Sequence, residues 1–377
     1  MSLRICIYVT YDPENIADNY IGGLLHELRK AVACLVVVCN YEYILAGIEN
    51  IQPYADKIYY RSNMGFDAGA YKDAICNYIG WNEIDRYDEL LLINDSFYGP
   101  LHPFENMFHV MEKVNTDYWG MTRSPAGKSG NGDIYSEHVQ SYFIAFRKKI
   151  LQSNGFRQFW TKMEYPKSYV QAVASFELSI NNYLEGRGFI GTAFMDICPF
   201  QCTVMENENP YMLYPLELIR DAEIPVFKRK SLSIGNKGFK NALDALRFIE
   251  NERFYDVNLI INHLMRINKL TKDREVINFS ALDKFHIEHS RIFFYGAGLC
   301  AKNLAEYFKY RGWIFESFLV TNVENQSENC TAFEEAEISG TDGIIIAVLD
   351  ETAVLEILEI VRNRLNKSQI FCLDKDI

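Results

Sequence analysis

The chain has 377 residues, of which 49% are hydrophobic and 23% charged, with a formal net charge of −12. That length exceeds what one hydrophobic core usually serves, so two domains are expected, and the apolar fraction excludes bulk disorder. An acidic surface repels phosphodiester backbones, which argues against nucleic acid as a partner.

Met1 to Thr10 runs straight into a strand-like segment, without the basic and apolar regions of a signal peptide, so none is expected. The absence of a run of about 18 uncharged apolar residues leaves peripheral attachment as the expected form of any membrane association. Nine cysteines are scattered apart from Cys34/Cys39 and Cys198/Cys202, and neither pair has the spacing of a zinc site. They read as buried thiols in a reducing, cytoplasmic compartment.

Arg4 to Thr10 is a short β-branched and aromatic run ending in the turn chemistry of Tyr11-Asp12-Pro13. Ile16, Tyr20, Leu24 and Leu28 then share one face of a helix predicted from Asn15 to Lys30. Ala33 to Cys39 is apolar throughout, as a parallel strand covered on both faces should be, and Asp56 to Tyr60 is a third strand. A helix over 67–79 and a buried strand over Glu89 to Ile93 complete an alternation typical of an open α/β sheet, whose ligands sit beyond the carboxyl ends of the strands. Between Pro100 and about Ile234 the pattern is less regular, with a strand over Ser141 to Phe146 and a helix over Tyr169 to Leu184. Helical spacing at 240–252 and 256–267 predicts a connector. A βαβ unit follows: a strand from His289 to Tyr295, a helix from Cys300 to Tyr310, and strands over Ser317 to Thr321 and Gly343 to Val348.

Two segments could carry chemistry. Asn94-Asp95-Ser96 follows the buried strand and delivers a carboxylate to a loop, where Asp95 would bind Mg²⁺ or Mn²⁺ or a diphosphate; the other reading is a simple turn. Arg61 to Lys72 lies between a strand and a helix, where Gly65 and Gly69 either let backbone N–H groups approach a phosphate or merely permit a tight turn.

Seven blocks in order carry a resemblance. They are Asn63-x-Gly65-x-Asp67-x-Gly69-x-Tyr71-Lys72, Asn94-Asp95-Ser96-x-Tyr98-Gly99-Pro100, Trp119-Gly120-Met121-Thr122, His138-Val139-Gln140-Ser141-Tyr142-Phe143, Phe156-x-x-Phe159-Trp160, Phe176-Glu177-x-x-Ser179 and Pro225-x-Phe227-Lys228. Over roughly residues 4 to 267 the chain resembles the rhamnan synthesis protein F family. The resemblance implies an α/β fold with a GT-A-like nucleotide-sugar-binding domain built on a mixed sheet. It implies transfer of a deoxyhexose, typically rhamnose, from a nucleotide diphosphate donor such as dTDP-rhamnose to a glycan or lipid-linked acceptor. Asn63, Gly65 and Asp67 would then lie at the donor nucleotide, with Asn94, Asp95 and Ser96 at the diphosphate or metal. Phe66 stands where many relatives are expected to carry a basic residue, and Asp95 is a single carboxylate where many metal-dependent transferases have two.

Transfer to a hydroxyl needs a base, and Glu177 and Asp196 are the candidates, in an inverting reaction; a solvated helix carboxylate is the other reading of Glu177. Lys228 would face the leaving diphosphate, unless the basic run Lys228-Arg229-Lys230 is a solvated edge. His138 and Gln140 would hold acceptor hydroxyls, while Trp119 and Trp160 read first as core.

Gly296-Ala297-Gly298 follows a strand and opens a helix, as a dinucleotide fingerprint does, but Thr321-Asn322 ends the next strand without a carboxylate for a ribose. NAD is therefore not expected. The expected organisation is a GT-A-like domain over 1–235, a helical connector over 236–285 and a small Rossmann-like domain over 286–377. Two rival readings are a sugar-nucleotide oxidoreductase using the Gly296 turn and a scaffold for polysaccharide assembly.

Overall fold

The structure, a computed structural model, describes residues 2–43, 46–128, 134–196, 209–267, 279–323 and 330–373. Cys198 and Cys202 lie outside them. The chain divides into two compact units. Unit 1 holds Met1–Tyr211, Glu217–Lys228 and Arg253–Tyr255; unit 2 holds Met212–Leu216, Arg229–Glu252 and Asp256–Ile377. Each is α/β, the class expected.

Unit 1 starts with β1 (Arg4–Thr10), α1 (Asn19–Ala31), β2 (Cys34–Cys39), β3 (Lys57–Tyr60), α2 (Phe66–Asp73), α3 (Trp81–Ile84) and β4 (Glu89–Asn94). β5 (Phe97–Tyr98), α4 (Phe104–Lys113), β6 (Tyr118–Ser124), β7 (Gly127–Lys128), β8 (Ile134–Tyr135), β9 (His138–Val139) and β10 (Phe143–Arg147) follow. Next come α5 (Lys148–Leu151), α6 (Asn154–Lys162), α7 (Tyr169–Ala172), α8 (Ser179–Glu185) and β11 (Gly191–Asp196). α9 (Pro210–Leu213), α10 (Pro215–Arg220) and β12 (Phe227–Lys228) lead out of the unit.

The main sheet runs β11-β6-β10-β4-β1-β2-β3, with β9 beside β6. β3, β2, β1 and β4 are mutually parallel and β10 is antiparallel to both β4 and β6, so the sheet is mixed. One face is covered by α1 and α4, where Leu24, Leu28, Phe104 and Phe108 are buried. The other carries a core of Ile5, Val36, Leu92, Phe146, Trp160 and Phe176. The uninterrupted apolar runs of β1 and β2 follow from this double cover. Trp119 and Trp160 are both core residues, and the Trp119 indole donates to Glu89 Oε1 at 2.7 Å.

Some elements differ from expectation for local reasons. α1 starts at Asn19 because Asp12 Oδ1 accepts from the backbone N–H groups of Glu14 and Ile16, closing a turn that competes with helix. α2 and α7 each run into a π-helical turn, Ala74–Ile79 and Val173–Leu178. β10 starts at Phe143, because Ser141 gives its N–H to a side chain instead of a strand.

Unit 2 contains α11 (Phe239–Glu252), α12 (Val257–Ile267), α13 (Phe279–Glu288), β13 (Ile292–Tyr295), α14 (Leu299–Arg311) and β14 (Phe318–Val320). It ends with β15 (Cys330–Ala332), β16 (Gly343–Ile346), α15 (Glu351–Arg362) and β17 (Ile370–Cys372). Its sheet is parallel throughout, in the order β15-β14-β13-β16-β17. The helices expected as a connector, α11 and α12, group with this sheet. β13 begins at Ile292 because the His289 ring closes the end of α13 on Phe285 O.

Candidate active site

Because β1, β2, β3 and β4 are parallel, their last residues share one edge of the sheet, with Thr10 beside Cys39 and Val9 beside Asn94. β10 runs the other way, so its first residues return to that edge, and Asn94 N donates to Tyr142 O at 3.1 Å. Unit 1 thereby gathers side chains from distant parts of the sequence.

Asp95 sits just past β4. Its Oδ2 accepts from Thr10 Oγ1 at 3.0 Å and from Tyr11 N at 2.9 Å, which ties the β4 loop to the end of β1. Asn94 Nδ2 donates to Asp67 Oδ2 at 2.8 Å, and Asn94 Oδ1 accepts from Ser96 N at 3.2 Å. Burial pushes the Asp67 carboxyl above its usual range and the charges of Glu177 and Asp95 push the same way, against the donors Asn94 and Ala68 N. Three carboxyl groups thus share this end of the sheet.

The Gly65 turn brings Asp67 there. Gly65 has φ +78° and Phe66 has φ +57°, two successive left-handed residues. A Cβ on Gly69 would lie 2.4 Å from Met64 O, so the turn and the first coil of α2 pack backbone against backbone. Arg61 holds this shape. It donates through Nε to Asp73 at 2.8 Å, through Nη1 to Asn40 Oδ1 at 2.6 Å and through Nη2 to Met64 O at 2.6 Å. Asn40 Nδ2 in turn reaches Phe66 O, and Tyr165 donates to Asp73. Asn63 is half-buried on the same turn.

Glu177 lies on the second π-helical turn, with Phe176 beside it buried against Tyr71 and Trp160. Its Oε2 accepts from Ser141 N at 2.8 Å and Ser141 Oγ at 2.6 Å, and its Oε1 is 3.5 Å from His138 Nε2. Burial works to raise this carboxyl, but His138 and Ser141 outweigh it and hold it at about 2. The Glu177 side chain is 19% exposed, so it is not a solvated helix residue. Gln140 Oε1 accepts from Thr122 Oγ1 at 2.6 Å, which also pairs with the Tyr142 hydroxyl at 2.9 Å. Asp196 ends β11, exposed and level with Arg123 of β6, and is not among the partners of Glu177.

Lys228 is not a solvated edge. β12 pairs with β5 and sets Lys228 opposite Phe97, with Nζ 3.0 Å from the Tyr142 ring centre and 3.2 Å from Ser96 Oγ. The cation is therefore held at Ser96, the residue that follows Asp95. Gln140, Ser141 and Tyr142, three consecutive residues, position Thr122, Glu177 and Lys228 respectively.

The structure brings Asp67, Asn94, Asp95, Ser96, Glu177, His138 and Lys228 to one region, with Asp196 exposed at the end of β11. The sequence reading had no role for Thr10, Asn40, Arg61 or Ser141. Their signal is a polar residue at the exit of, or approach to, an apolar strand, weak until strand order is known.

A family model for rhamnan synthesis protein F matches residues 35–310. The chain belongs to the rhamnan synthesis protein F family. Among curated relatives of this family member, an uncharacterized protein, y4gN, of Sinorhizobium fredii (strain NBRC 101917 / NGR234) is 22% identical over 190 residues, 50% of this chain and 48% of that one. Virulence protein VirA of Vibrio anguillarum (strain ATCC 68554 / 775) is 24% identical over 215 residues, 56% of this chain and 66% of that one. The chain thus spans about half to two thirds of the length of these relatives. Among solved structures, 4-diphosphocytidyl-2C-methyl-D-erythritol synthase of Anaerococcus prevotii DSM 20548 aligns with TM-score 0.31 and 10% identity, covering 52% of this chain and 89% of that one. Core-mannan synthase A of Aspergillus fumigatus, in its Mn/GDP form, gives 0.28 and 9%, covering 50% and 72%. Scores this low establish no shared site.

In unit 2, Gly296 has φ +113°, and a Cβ there would meet Val348 Cγ2 at 2.9 Å. Past β14, Thr321 pairs with the Tyr295 hydroxyl, and Thr321, Asn322 and Val323 bring no carboxylate. Among the described residues, no helix is long and apolar enough to cross a membrane.

Proposed function

We propose that the chain is a glycosyltransferase of GT-A-like architecture acting on the cytoplasmic side. It would move a deoxyhexose, rhamnose, from a nucleotide diphosphate sugar to a growing bacterial surface polysaccharide. Family membership supports the reaction class. The observation that carries the site is the convergence, at one sheet edge, of the anchored Asp95, the aimed cation of Lys228 and the positioned carboxylate of Glu177.

In this reading the donor diphosphate lies between Asp95 and Lys228, with its nucleoside toward the Asn63–Asp67 turn. An acceptor hydroxyl attacks the anomeric carbon from the opposite face, the bond to the diphosphate oxygen breaks, and the configuration inverts. The hydroxyl proton passes to Glu177, whose Oε2 is fixed by Ser141 and whose Oε1 lies beside His138 Nε2. With a pKa of about 2 Glu177 is always ionised but weakly basic, so its main contribution is orientation. Charge developing on the leaving diphosphate meets Lys228, whose seat on Tyr142 and Ser96 needs no rearrangement.

The Asp95 carboxylate is a hard oxygen ligand that fits Mg²⁺ or Mn²⁺, and a cation beside it would offset the burial and neighbouring negative charge that raise Asp67. Asp95 would hold the ion, which would neutralise diphosphate charge. The test is calorimetric titration with dTDP-rhamnose and UDP sugars, with and without Mg²⁺ or Mn²⁺, on wild type and Asp95→Ala. Selective binding that weakens about 100-fold in the variant supports the reading. Silence across the whole panel overturns it and favours a scaffold.

A further inference from the structure

We infer that His138 is a positioning residue: as an imidazolium it holds Glu177, and with it the Val173–Leu178 turn, against the entry to β10. His138 opens β9, and its side chain is only 5% exposed. Nδ1 is 2.8 Å from Ser136 O and Nε2 is 3.5 Å from Glu177 Oε1. Both neighbours, a carbonyl and a carboxylate, can only accept. A neutral imidazole has one N–H to give, so it satisfies one of them and turns a lone pair on the other; the imidazolium satisfies both. The ring is thus occupied on both sides by protein, which removes it from the acceptor-binding role expected from sequence.

The charges around the ring agree with this state. Glu177 faces it from the π-helical turn, and the edge of the Tyr135 ring lies 5.7 Å away. Arg123 of β6 opposes a positive charge, but its guanidinium is ion-paired with Glu137, and Asp196 of β11 lies beside it in register. Burial alone would lower the His138 pKa, and Glu177 and the Ser136 carbonyl carry it back above the ordinary 6.5. Ser141 and His138 accordingly grip Glu177 from two sides, Oε2 by two hydrogen bonds and Oε1 by charge. As pH rises and the imidazolium loses its proton, the second grip goes and the carboxylate swings on Ser141.

The inference rests on glycosyl transfer only for its consequence in turnover, so the experiment has two arms. In the first, the full chain is labelled with ¹³C-histidine and titrated by NMR. The chain has seven histidines, and the His138 signal is the one missing from His138→Gln. It should titrate above 6.5 in wild type and move down in Glu177→Gln or, if that variant folds poorly, in Glu177→Ala. Titration at or below the ordinary value, or no movement on loss of the carboxylate, overturns the inference whether or not any nucleotide sugar is turned over. In the second arm, kcat for dTDP-rhamnose turnover should fall on the alkaline side in wild type. In His138→Gln it should be about 10-fold lower with KM unchanged and without that limb, the size expected of a misplaced group. A variant that keeps the wild-type pH profile overturns the positioning role.

Discussion

Both units contain a strand that ends in a glycine turn and opens a helix, and only one of the two turns is surrounded by chemistry. At Gly65 the neighbouring strand ends supply Asn40, Arg61, Asn94 and Asp95, and the helix itself supplies Asp67. At Gly296 the corresponding neighbour is the Val348 side chain, and the next strand ends in Thr321 paired with Tyr295. A glycine turn reports where backbone must come close. What a ligand would meet is decided by residues delivered from the adjoining strands.

That contrast can be attacked at several strengths. The largest effect is expected from Arg61→Ala, which leaves the buried Asp73 without its cationic partner and frees the Gly65 turn at both Asn40 and Met64. Breaking such a pair costs about 3–5 kcal/mol, read as a lower midpoint in urea unfolding with an unchanged slope. A loss under about 1 kcal/mol would mean the turn holds itself, as the one in unit 2 must.

Gly69→Ala comes next. Its new Cβ would lie 2.4 Å from a backbone carbonyl that cannot rotate away, and a loss of about 3 kcal/mol is expected. The matching change at the other turn, Gly298→Ala, places its Cβ in open space and should shift stability by less than about 0.5 kcal/mol. Equal losses at the two positions would erase the distinction.

Asp67→Asn should act in the opposite direction. The folded-state pKa of Asp67 is raised, so its contribution is intact below the unfolded value and is lost as pH rises through the folded one. At pH 7 the ionised group is a liability that asparagine removes, for a gain of about 1 kcal/mol. The gain should shrink to nothing in thermal unfolding as pH drops below the ordinary carboxylate range, while nucleotide-sugar binding weakens. Destabilisation at pH 7 would show that Asn94 and Ala68 N–H need the charge.

The parallel half of unit 1 was legible because β1, β2 and β4 are buried on both faces and so read as continuous apolar runs. β6 and β11 were not read as strands. β6 carries Gly120, Thr122, Arg123 and Ser124 among only three large apolar residues although it is buried nearly throughout, and β11 is half-buried, with small and large residues intermixed. The motif blocks exposed Asp67, Asp95, Glu177 and Lys228, since each sits in a short, unusual string. Their partners escaped notice because Thr10 and Ser141 are ordinary polar residues until the sheet order sets them beside Asp95 and Glu177. The basic run at Lys228 left two readings open for a related reason: only the β12–β5 pairing reveals that its first member turns inward over Tyr142.

The Val173–Leu178 turn has a further implication. An ordinary helix advances about 100° per residue, so adjacent positions seldom serve two inward tasks at once. The wider π-helical coil lets Phe176 fill the core while Glu177 looks toward Ser141. Chain length in this stretch is therefore under as much constraint as residue identity. Excising Ala174 or Ser175 would leave every motif block readable and yet rotate the carboxylate away from its seat, an inactive homologue that no comparison of side chains would flag.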